Sequence, residues 1–148
     1  MQKSSQLQNL LGELFATQKF AALATDDRGK PHNCLVAFAA THDLRNLLFT
    51  TSRNTSKYRN IVADSRVAIL VDNRSNKSSD FRKAIAVTAT GRAREAKGKE
   101  RDRLLDIYLA KHPQLVDFAS SSENALVKVE ITNYEISTFN NVRTFRPG

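Results

Sequence analysis

The segment from Thr50 to Lys57 brings hydroxyl groups, positive charge and a helix start together over a few residues. Arg53 and Lys57 supply the charge, and apolar residues at helical spacing predict a short helix that begins at or near Lys57. A helix N-terminus offers free backbone N–H groups and a dipole that favours anions. These residue types in this order indicate a phosphate-binding loop. Its hydroxyl donors are Thr50, Thr51, Ser52, Thr55 and Ser56.

The same hydroxyl groups have a purely structural interpretation. Serine and threonine commonly cap helices, because their side-chain oxygens accept hydrogen bonds from the first free backbone N–H groups. In that case Lys57 would simply lie in solvent. The chemistry of the residues leaves both interpretations open.

Short apolar runs separated by polar turns predict the strands that position this loop. One helix is expected before the first strand, with Ser4 or Ser5 as its cap. A second helix is expected over Lys97–Ala110, and His112 and Pro113 end it. The polar segment from Asp72 to Phe81 predicts a mobile loop. The predicted strands are Phe20–Thr25, Pro31–Ala40, Leu47–Thr51, Arg66–Val71, Lys83–Ala93 and Asn124–Thr138, the last interrupted near Asn133.

The order of these elements predicts the fold class. Helices occur where hairpins end rather than after every strand, which disfavours a parallel sheet. Consecutive short strands joined by tight turns close best by curling into a barrel. The sequence therefore predicts an α+β fold with a six-stranded antiparallel barrel and a few peripheral helices. At 148 residues it is expected to form a single domain over residues 1–148.

The formal net charge of +8 is compatible with a phosphate ligand or with nucleic acid. Acidic residues interleave with the basic ones beyond Arg92, as on a solvated surface. The aromatic residues are mostly phenylalanines at apolar positions, so stacking on exposed bases is not indicated. A nucleic-acid-binding module is therefore the least favoured function.

Other common functional classes lack support in the sequence. Cys34 is the only cysteine and is expected to be a buried, inert thiol. His32, His42 and His112 lie in separate segments, which predicts surface or turn residues rather than metal ligands. No apolar run is long enough for a membrane span, and the N-terminus predicts an amphipathic helix rather than a signal peptide. We therefore expect a cytoplasmic protein.

Several short motifs resemble the pyridoxamine 5'-phosphate oxidase-like FMN-binding split barrels. The similarity is closest over residues 7–93, and the order and spacing of the motifs carry it. It implies a six-stranded split barrel that forms a homodimer, with FMN bound in two clefts at the interface. The matching motifs are FAALAT at Phe20–Thr25, GKPHN at Gly29–Asn33, LFTT at Leu48–Thr51, Ser56–Lys57 and SRVAI at Ser65–Ile69.

The resemblance also implies roles for individual residues. Phe49 and Thr50 match an aromatic–threonine pair that contacts the flavin, and Ser56 and Lys57 match an Arg–Lys pair that holds the phosphate. The strand from Asn33 through Leu35 to Val36 matches the segment whose backbone groups hydrogen-bond the polar edge of the flavin ring. With the loop residues, the predicted cofactor-binding set is Asn33, Leu35, Val36, Phe49, Thr50, Thr51, Ser52, Arg53, Ser56 and Lys57.

Three departures from the family pattern bear on function. Ser56 stands where an arginine would hold the phosphate, and Arg53 is expected to compensate. Ala86 stands where vitamin-oxidising members carry a glutamine, and the end of the chain, Thr144–Gly148, offers no equivalent of their substrate-binding segment. The resemblance therefore predicts FMN as cofactor without indicating pyridoxamine phosphate as substrate. We expect flavin redox chemistry on an unidentified small molecule; the alternative is a non-catalytic flavin or deazaflavin binder.

Overall fold

The computed structural model describes residues 2–148. Five α-helices and seven strands alternate irregularly along these residues, with one turn of 3-10 helix at Pro113–Leu115. The helices are α1 (Gln2–Thr17), α2 (Ser56–Ala63), α3 (Asp80–Lys83), α4 (Gly98–Lys111) and α5 (Val116–Ser120). The strands are β1 (Phe20–Asp27), β2 (Lys30–Ala40), β3 (Asn46–Ser52), β4 (Arg66–Asp72), β5 (Ala86–Glu95), β6 (Asn124–Ser137) and β7 (Val142–Phe145).

The seven strands form one antiparallel sheet in the order β3-β2-β1-β4-β5-β6-β7. Because β3 also pairs with β6, the first six strands close into a barrel, and β7 extends the far end of β6. The strands β1, β2 and β3 follow one another as antiparallel hairpins. The predicted α+β fold with a six-stranded antiparallel barrel is therefore confirmed.

Two apolar clusters hold the barrel and its helices together. The larger fills the barrel and includes the fully buried Phe38 and Phe49, with Leu11 of α1 packed into it. The smaller lies outside the barrel, where Leu104 and Tyr108 of α4 cover the outer face of β3 at Leu48. As side chains alternate between the two faces of a strand, β3 contributes to both clusters.

A β-bulge bends β6 where the sequence predicted an interruption near Asn133. Thr90 of β5 lies opposite Asn133 while Gly91 lies opposite Ile131, so Thr132 is the extra residue. A side chain at Gly91 would collide with the carbonyl oxygen of Glu130. The strand therefore continues through the bulge instead of ending there.

Some predicted boundaries are wrong. The helix α1 already includes Ser4 and Ser5, so neither caps it. The strand β5 begins at Ala86 because Lys83 ends α3. The short elements α3, α5 and β7 carry too little periodic pattern to be predicted.

The segment predicted as a mobile loop is fastened by hydrogen bonds in this structure. The Asp80 carboxylate accepts hydrogen bonds from the backbone N–H groups of Ser75 and Asn76 and from the Ser75 hydroxyl, at distances of 2.7 to 3.0 Å.

Within residues 2–148, no helix is long and apolar enough to cross a membrane.

Candidate functional site

The antiparallel ladder between β2 and β3 is short, and it ends where the predicted site begins. Only Phe38–Ala40 of β2 pairs with Leu47–Phe49 of β3. Towards its start, β2 runs along β1 from Lys30, while β3 continues to Ser52 along β6. The two strands therefore diverge. We call the resulting gap, between residues 30–37 of β2 and the segment 50–57, the open flank.

The hydroxyl of Tyr108 stands at the point of divergence. It accepts a hydrogen bond from the Thr50 hydroxyl (3.1 Å) and donates one to the carbonyl oxygen of Ala37 (3.0 Å). Ala37 and Thr50 are the residues that would form the next pair of the ladder. Tyr108 is only 1% exposed, and burial raises the pKa of its phenol. A neutral hydroxyl from α4 therefore replaces a backbone pair and separates the two strands.

The backbone of β2 presents free hydrogen-bonding groups to the open flank. The N–H of Phe38 donates to Lys19 on the β1 side, and the direction of these groups alternates along an antiparallel strand. The N–H and C=O groups of Leu35 and Asn33 consequently point away from β1. Among residues 2–148, no strand pairs with β2 on that side before Phe38. Two residues predicted to meet a ligand through their backbone thus have the required orientation.

The side chains of the predicted residues divide between surface and core. Asn33 is exposed and Leu35 is 68% exposed, so both are accessible from solvent. Val36 and Phe49 are buried in the barrel core. Their side chains therefore contribute packing, and their backbone N–H and C=O groups point to β1 at Ala21 and to β6 at Val127, so the structure does not bring Val36 or Phe49 to the open flank.

Several predicted hydroxyl donors hold the loop itself together. Thr51 donates to the carbonyl oxygen of Ser52 and lies 2.9 Å from the Thr55 hydroxyl. Thr55 is the N-cap of α2: its hydroxyl oxygen accepts from the N–H of Tyr58 and its proton goes to the Ser52 carbonyl. The capping interpretation therefore holds for Thr55, and Thr51 supports the same turn.

The remaining donors fit an anion at the start of α2. The N–H groups of Ser56 and Lys57 have no hydrogen-bond partner among residues 2–148, as expected for the first helical residues. The Ser52 and Ser56 hydroxyls each accept one hydrogen bond, from Asn54 and Arg59 respectively, and each keeps a proton to donate. The helix start thus offers two amide and two hydroxyl donors.

Three cations lie on the loop and α2, and their partners differ. Lys57 is half-buried; burial raises the pKa of the Cys34 thiol on β2, and the Lys57 charge opposes that rise. Arg59 donates to the Asn54 carbonyl and the Ser56 hydroxyl. Arg53, by contrast, forms a two-bond ion pair with Glu95 (2.6 and 3.2 Å). The structure therefore brings Lys57 and Arg59 to the helix start and engages Arg53 elsewhere.

Sequence reasoning missed three residues that shape this site. Tyr108 occupies an apolar helical position, and its hydroxyl function depends on a contact 58 residues away. Glu95 reaches the loop from the end of β5, which no local pattern indicates. Arg59 was detectable, because it lies three residues after Ser56 and such residues are neighbours on a helix.

The closed barrel with a diverging β2–β3 pair defines a split-barrel protein. A profile of the pyridoxamine 5'-phosphate oxidase family matches residues 8–138, which is most of the chain. The chain belongs to this family, which confirms the resemblance noted in the sequence. No curated protein sequence matches it.

Solved structures with the same fold share little sequence with this chain. A heme-binding protein from Mycobacterium smegmatis has 17% identity and a TM-score of 0.79, over 89% of this chain and 54% of that one. Campylobacter jejuni ChuZ has 17% identity and a TM-score of 0.79, over 96% of this chain and 60% of that one. An FAD-binding protein from Mesorhizobium loti has 16% identity and a TM-score of 0.68, over 86% of this chain and 90% of that one. The chain thus spans little more than half the length of the first two, and the likeness establishes the fold alone.

Proposed function

We propose that the chain binds FMN in the open flank and acts as a homodimeric flavoprotein. The observation that carries this proposal is the free backbone edge of β2 at Asn33 and Leu35, on the side where β3 diverges from β2 and leads into the start of α2. An extended edge recognises a flat ring that carries amide-like groups, and a helix start recognises a phosphate. FMN combines both features in one molecule.

The phosphate would be held by groups that are already in place. The N–H groups of Ser56 and Lys57 and the Ser52 and Ser56 hydroxyls supply the hydrogen bonds. Lys57 and Arg59 supply two positive charges against a phosphate of about −1.5 to −2 at neutral pH. In this proposal, Arg59 takes the role that the sequence had given to Arg53.

The flavin ring would lie along β2, with the N–H and C=O groups of Asn33 and Leu35 bonded to its polar edge. The exposed Leu35 side chain adds apolar area beside the ring. When bound, FMN supplies the redox chemistry, while the protein fixes its position and excludes water. The residues described here need only bind and orient the cofactor.

The outer face of the barrel supports the proposed homodimer. Leu35, Ala22 and Leu70 lie opposite one another across β2, β1 and β4, so they share one face of the sheet. Leu35 and Leu70 are 68% and 37% exposed, and Phe20 at the start of β1 is 59% exposed. Apolar residues grouped on one face favour association. A second copy on this face would also shield a ring bound along β2.

The proposal includes redox turnover of a small molecule in the cytoplasm. The alternative is a flavin or deazaflavin binder without turnover. Oxidation of a reduced nicotinamide by the FMN-loaded protein, measured with a panel of acceptors, distinguishes the two. Turnover above that of free FMN supports the enzyme, and its absence supports the binder.

Removing the Lys57 charge tests the phosphate site. We expect Lys57→Ala to weaken FMN binding roughly tenfold, since one charge-assisted contact to phosphate is lost. Riboflavin, which has the same ring without the phosphate, should bind within about twofold of the wild type, because only that contact is absent. The measurement is a fluorescence titration of both ligands. Lys99→Ala is the matched control, because Lys99 is the second residue of α4 just as Lys57 is the second residue of α2.

The titration has two clear contrary outcomes. An equal loss of FMN and riboflavin affinity in Lys57→Ala would remove Lys57 from the phosphate site. A wild-type protein that binds neither ligand would refute the flavin proposal as a whole.

A further inference from the structure

A cluster of three side chains ties the phosphate loop to the rest of the barrel. The Glu95 carboxylate accepts two hydrogen bonds from the Arg53 guanidinium, at 2.6 and 3.2 Å, and a third from the Tyr58 hydroxyl at 2.6 Å. Arg53 also donates to the carbonyl oxygen of Ser122 (2.7 Å). The cluster therefore joins the loop, the first turn of α2, the end of β5 and the turn before β6.

The geometry leaves little of the Arg53 charge for a ligand. The Glu95 side chain is 9% exposed, its two oxygens accept from Nε and Nη2 of Arg53, and the Ser122 carbonyl oxygen accepts from Nη1. The Arg53 hydrogen bonds lower the pKa of Glu95, so the carboxylate is ionised at neutral pH. A largely buried carboxylate that lost this partner would be left as an unpaired charge, which is costly. Arg53 is consequently held in place by Glu95.

We infer that Arg53, Glu95 and Tyr58 position the phosphate-binding groups without touching the ligand. This inference rests on the proposed function, because it concerns the same phosphate site. Tyr58 directly follows Lys57 on α2, so its bond to Glu95 fixes the direction in which the first N–H groups of the helix point. Arg53 fixes the loop on the other side of those groups. Residues that lock a binding group in its productive orientation contribute to affinity through that group.

The direct role that the sequence had suggested for Arg53 makes the opposite prediction. If Arg53 bound phosphate itself, Glu95 would compete with the ligand for the guanidinium. Neutralising Glu95 would then release Arg53 and tighten FMN binding. If Arg53 is a positioning residue, neutralising Glu95 loosens the loop and weakens FMN binding. The sign of the effect of Glu95→Gln therefore separates the two roles.

The experiment is a double-mutant cycle on FMN and riboflavin affinity, with Arg53→Gln, Glu95→Gln and the double variant. We expect each single change to weaken FMN roughly tenfold, and the double variant to be no weaker than the worse single one, because both act through one contact. Riboflavin affinity should stay within about twofold, because the cluster acts only on the phosphate groups. Arg53→Lys should restore part of the loss.

A second ion pair provides the control. Arg94 and Glu100 form a similar two-bond pair, at 3.0 and 3.2 Å, and Glu100 lies in the first turn of α4. Glu100→Gln changes the net charge equally and should leave both affinities unchanged. If Glu95→Gln does not fold, Tyr58→Phe removes one hydrogen bond of the cluster and should still lower the ratio of FMN to riboflavin affinity.

The outcomes separate this inference from the proposed function. Tighter or unchanged FMN binding in Glu95→Gln, or a parallel loss for riboflavin, overturns the positioning role while the flavin site stands. A wild-type protein that does not bind FMN overturns both.

Discussion

The two edges of β3 differ, although they belong to the same strand of the same barrel. On one edge, all residues from Asn46 to Ser52 pair with β6 in unbroken register. On the other edge, pairing with β2 stops at Phe49, and the Tyr108 hydroxyl takes the next position. The closed edge completes the barrel, and the open edge creates the open flank.

This difference shows how one strand can support both stability and binding. Buried or half-buried backbone groups need hydrogen-bond partners, and on the closed edge β6 provides them all. Across the open flank, the backbone groups of Asn33 and Leu35 on β2 have no strand partner and are free to bind water or a ligand. The end of the β2–β3 ladder is therefore part of the fold, because the buried Tyr108 of α4 bonds to both strands at that point.

The largest effect should come from breaking the core on which both edges depend. Phe49 is fully buried and lies opposite Val127 on the closed edge and Phe38 on the other. Replacing it by alanine removes a large buried ring, and we expect a loss of about 3–5 kcal/mol in the free energy of unfolding. Urea denaturation measures this loss.

The exposed Phe139 serves as the comparison for Phe49. It is 65% exposed and its ring contacts that of the exposed Phe81, so Phe139→Ala should lower the free energy of unfolding by no more than about 1.5 kcal/mol. If Phe49→Ala lowered the free energy of unfolding no more than Phe139→Ala does, Phe49 would not be a core residue on which both edges of β3 depend.

A smaller effect should follow from removing the hydroxyl that separates β2 from β3. Tyr108→Phe leaves the Thr50 hydroxyl and the Ala37 carbonyl without their partner, and we expect a loss of about 1–3 kcal/mol. Because the loss occurs at the open flank, FMN affinity should fall as well. Chemical denaturation and flavin titration give the two values.

Tyr134→Phe is the matched control for Tyr108→Phe. The Tyr134 hydroxyl is also buried, and it donates to the carbonyl oxygen of Leu44, away from the open flank. Its removal should lower stability to a similar extent while FMN affinity stays unchanged. Equal losses of FMN affinity in both variants would contradict a special role for Tyr108.

The smallest effect is a pH dependence of the contact that anchors the loop. Arg53, followed by Tyr58, lowers the folded-state pKa of Glu95 below its ordinary value of 4.5. A lowered acid pKa stabilises the folded state above that ordinary value, and the stabilisation is lost as the pH falls through the folded-state pKa. The stability difference between wild type and Glu95→Gln should therefore shrink between about pH 5 and the acid limit of folding. Thermal unfolding across this range measures it, and a difference that does not change with pH would contradict the assignment.

The barrel was largely predictable because its signals are local. Apolar runs such as Leu47–Thr51 and turns such as Asp26–Gly29 mark strands and hairpins within a few residues. The family motifs then supplied the closure that local patterns lack. The bulge at Gly91 was visible only as an interruption near Asn133, because its cause is a close approach between two strands.

The site was predictable only in part, because its residues depend on distant partners. The hydroxyl-rich loop and the start of α2 at Ser56 follow from capping chemistry, and they lie where the sequence placed them. The partner of Arg53 is Glu95, 42 residues away, and nothing in the loop indicates it. Free edges of strands are likewise invisible in a sequence, since they depend on where the neighbouring strand diverges.

The most direct test of the account is amide hydrogen exchange at β2 with and without FMN. The amides of Asn33 and Leu35 face the open flank, whereas that of the intervening Cys34 faces β1. We expect saturating FMN to slow exchange at Asn33 and Leu35 and to leave Cys34 nearly unchanged. Bound FMN that leaves the exchange of Asn33 and Leu35 unaltered would contradict the assignment of the open flank as the flavin site.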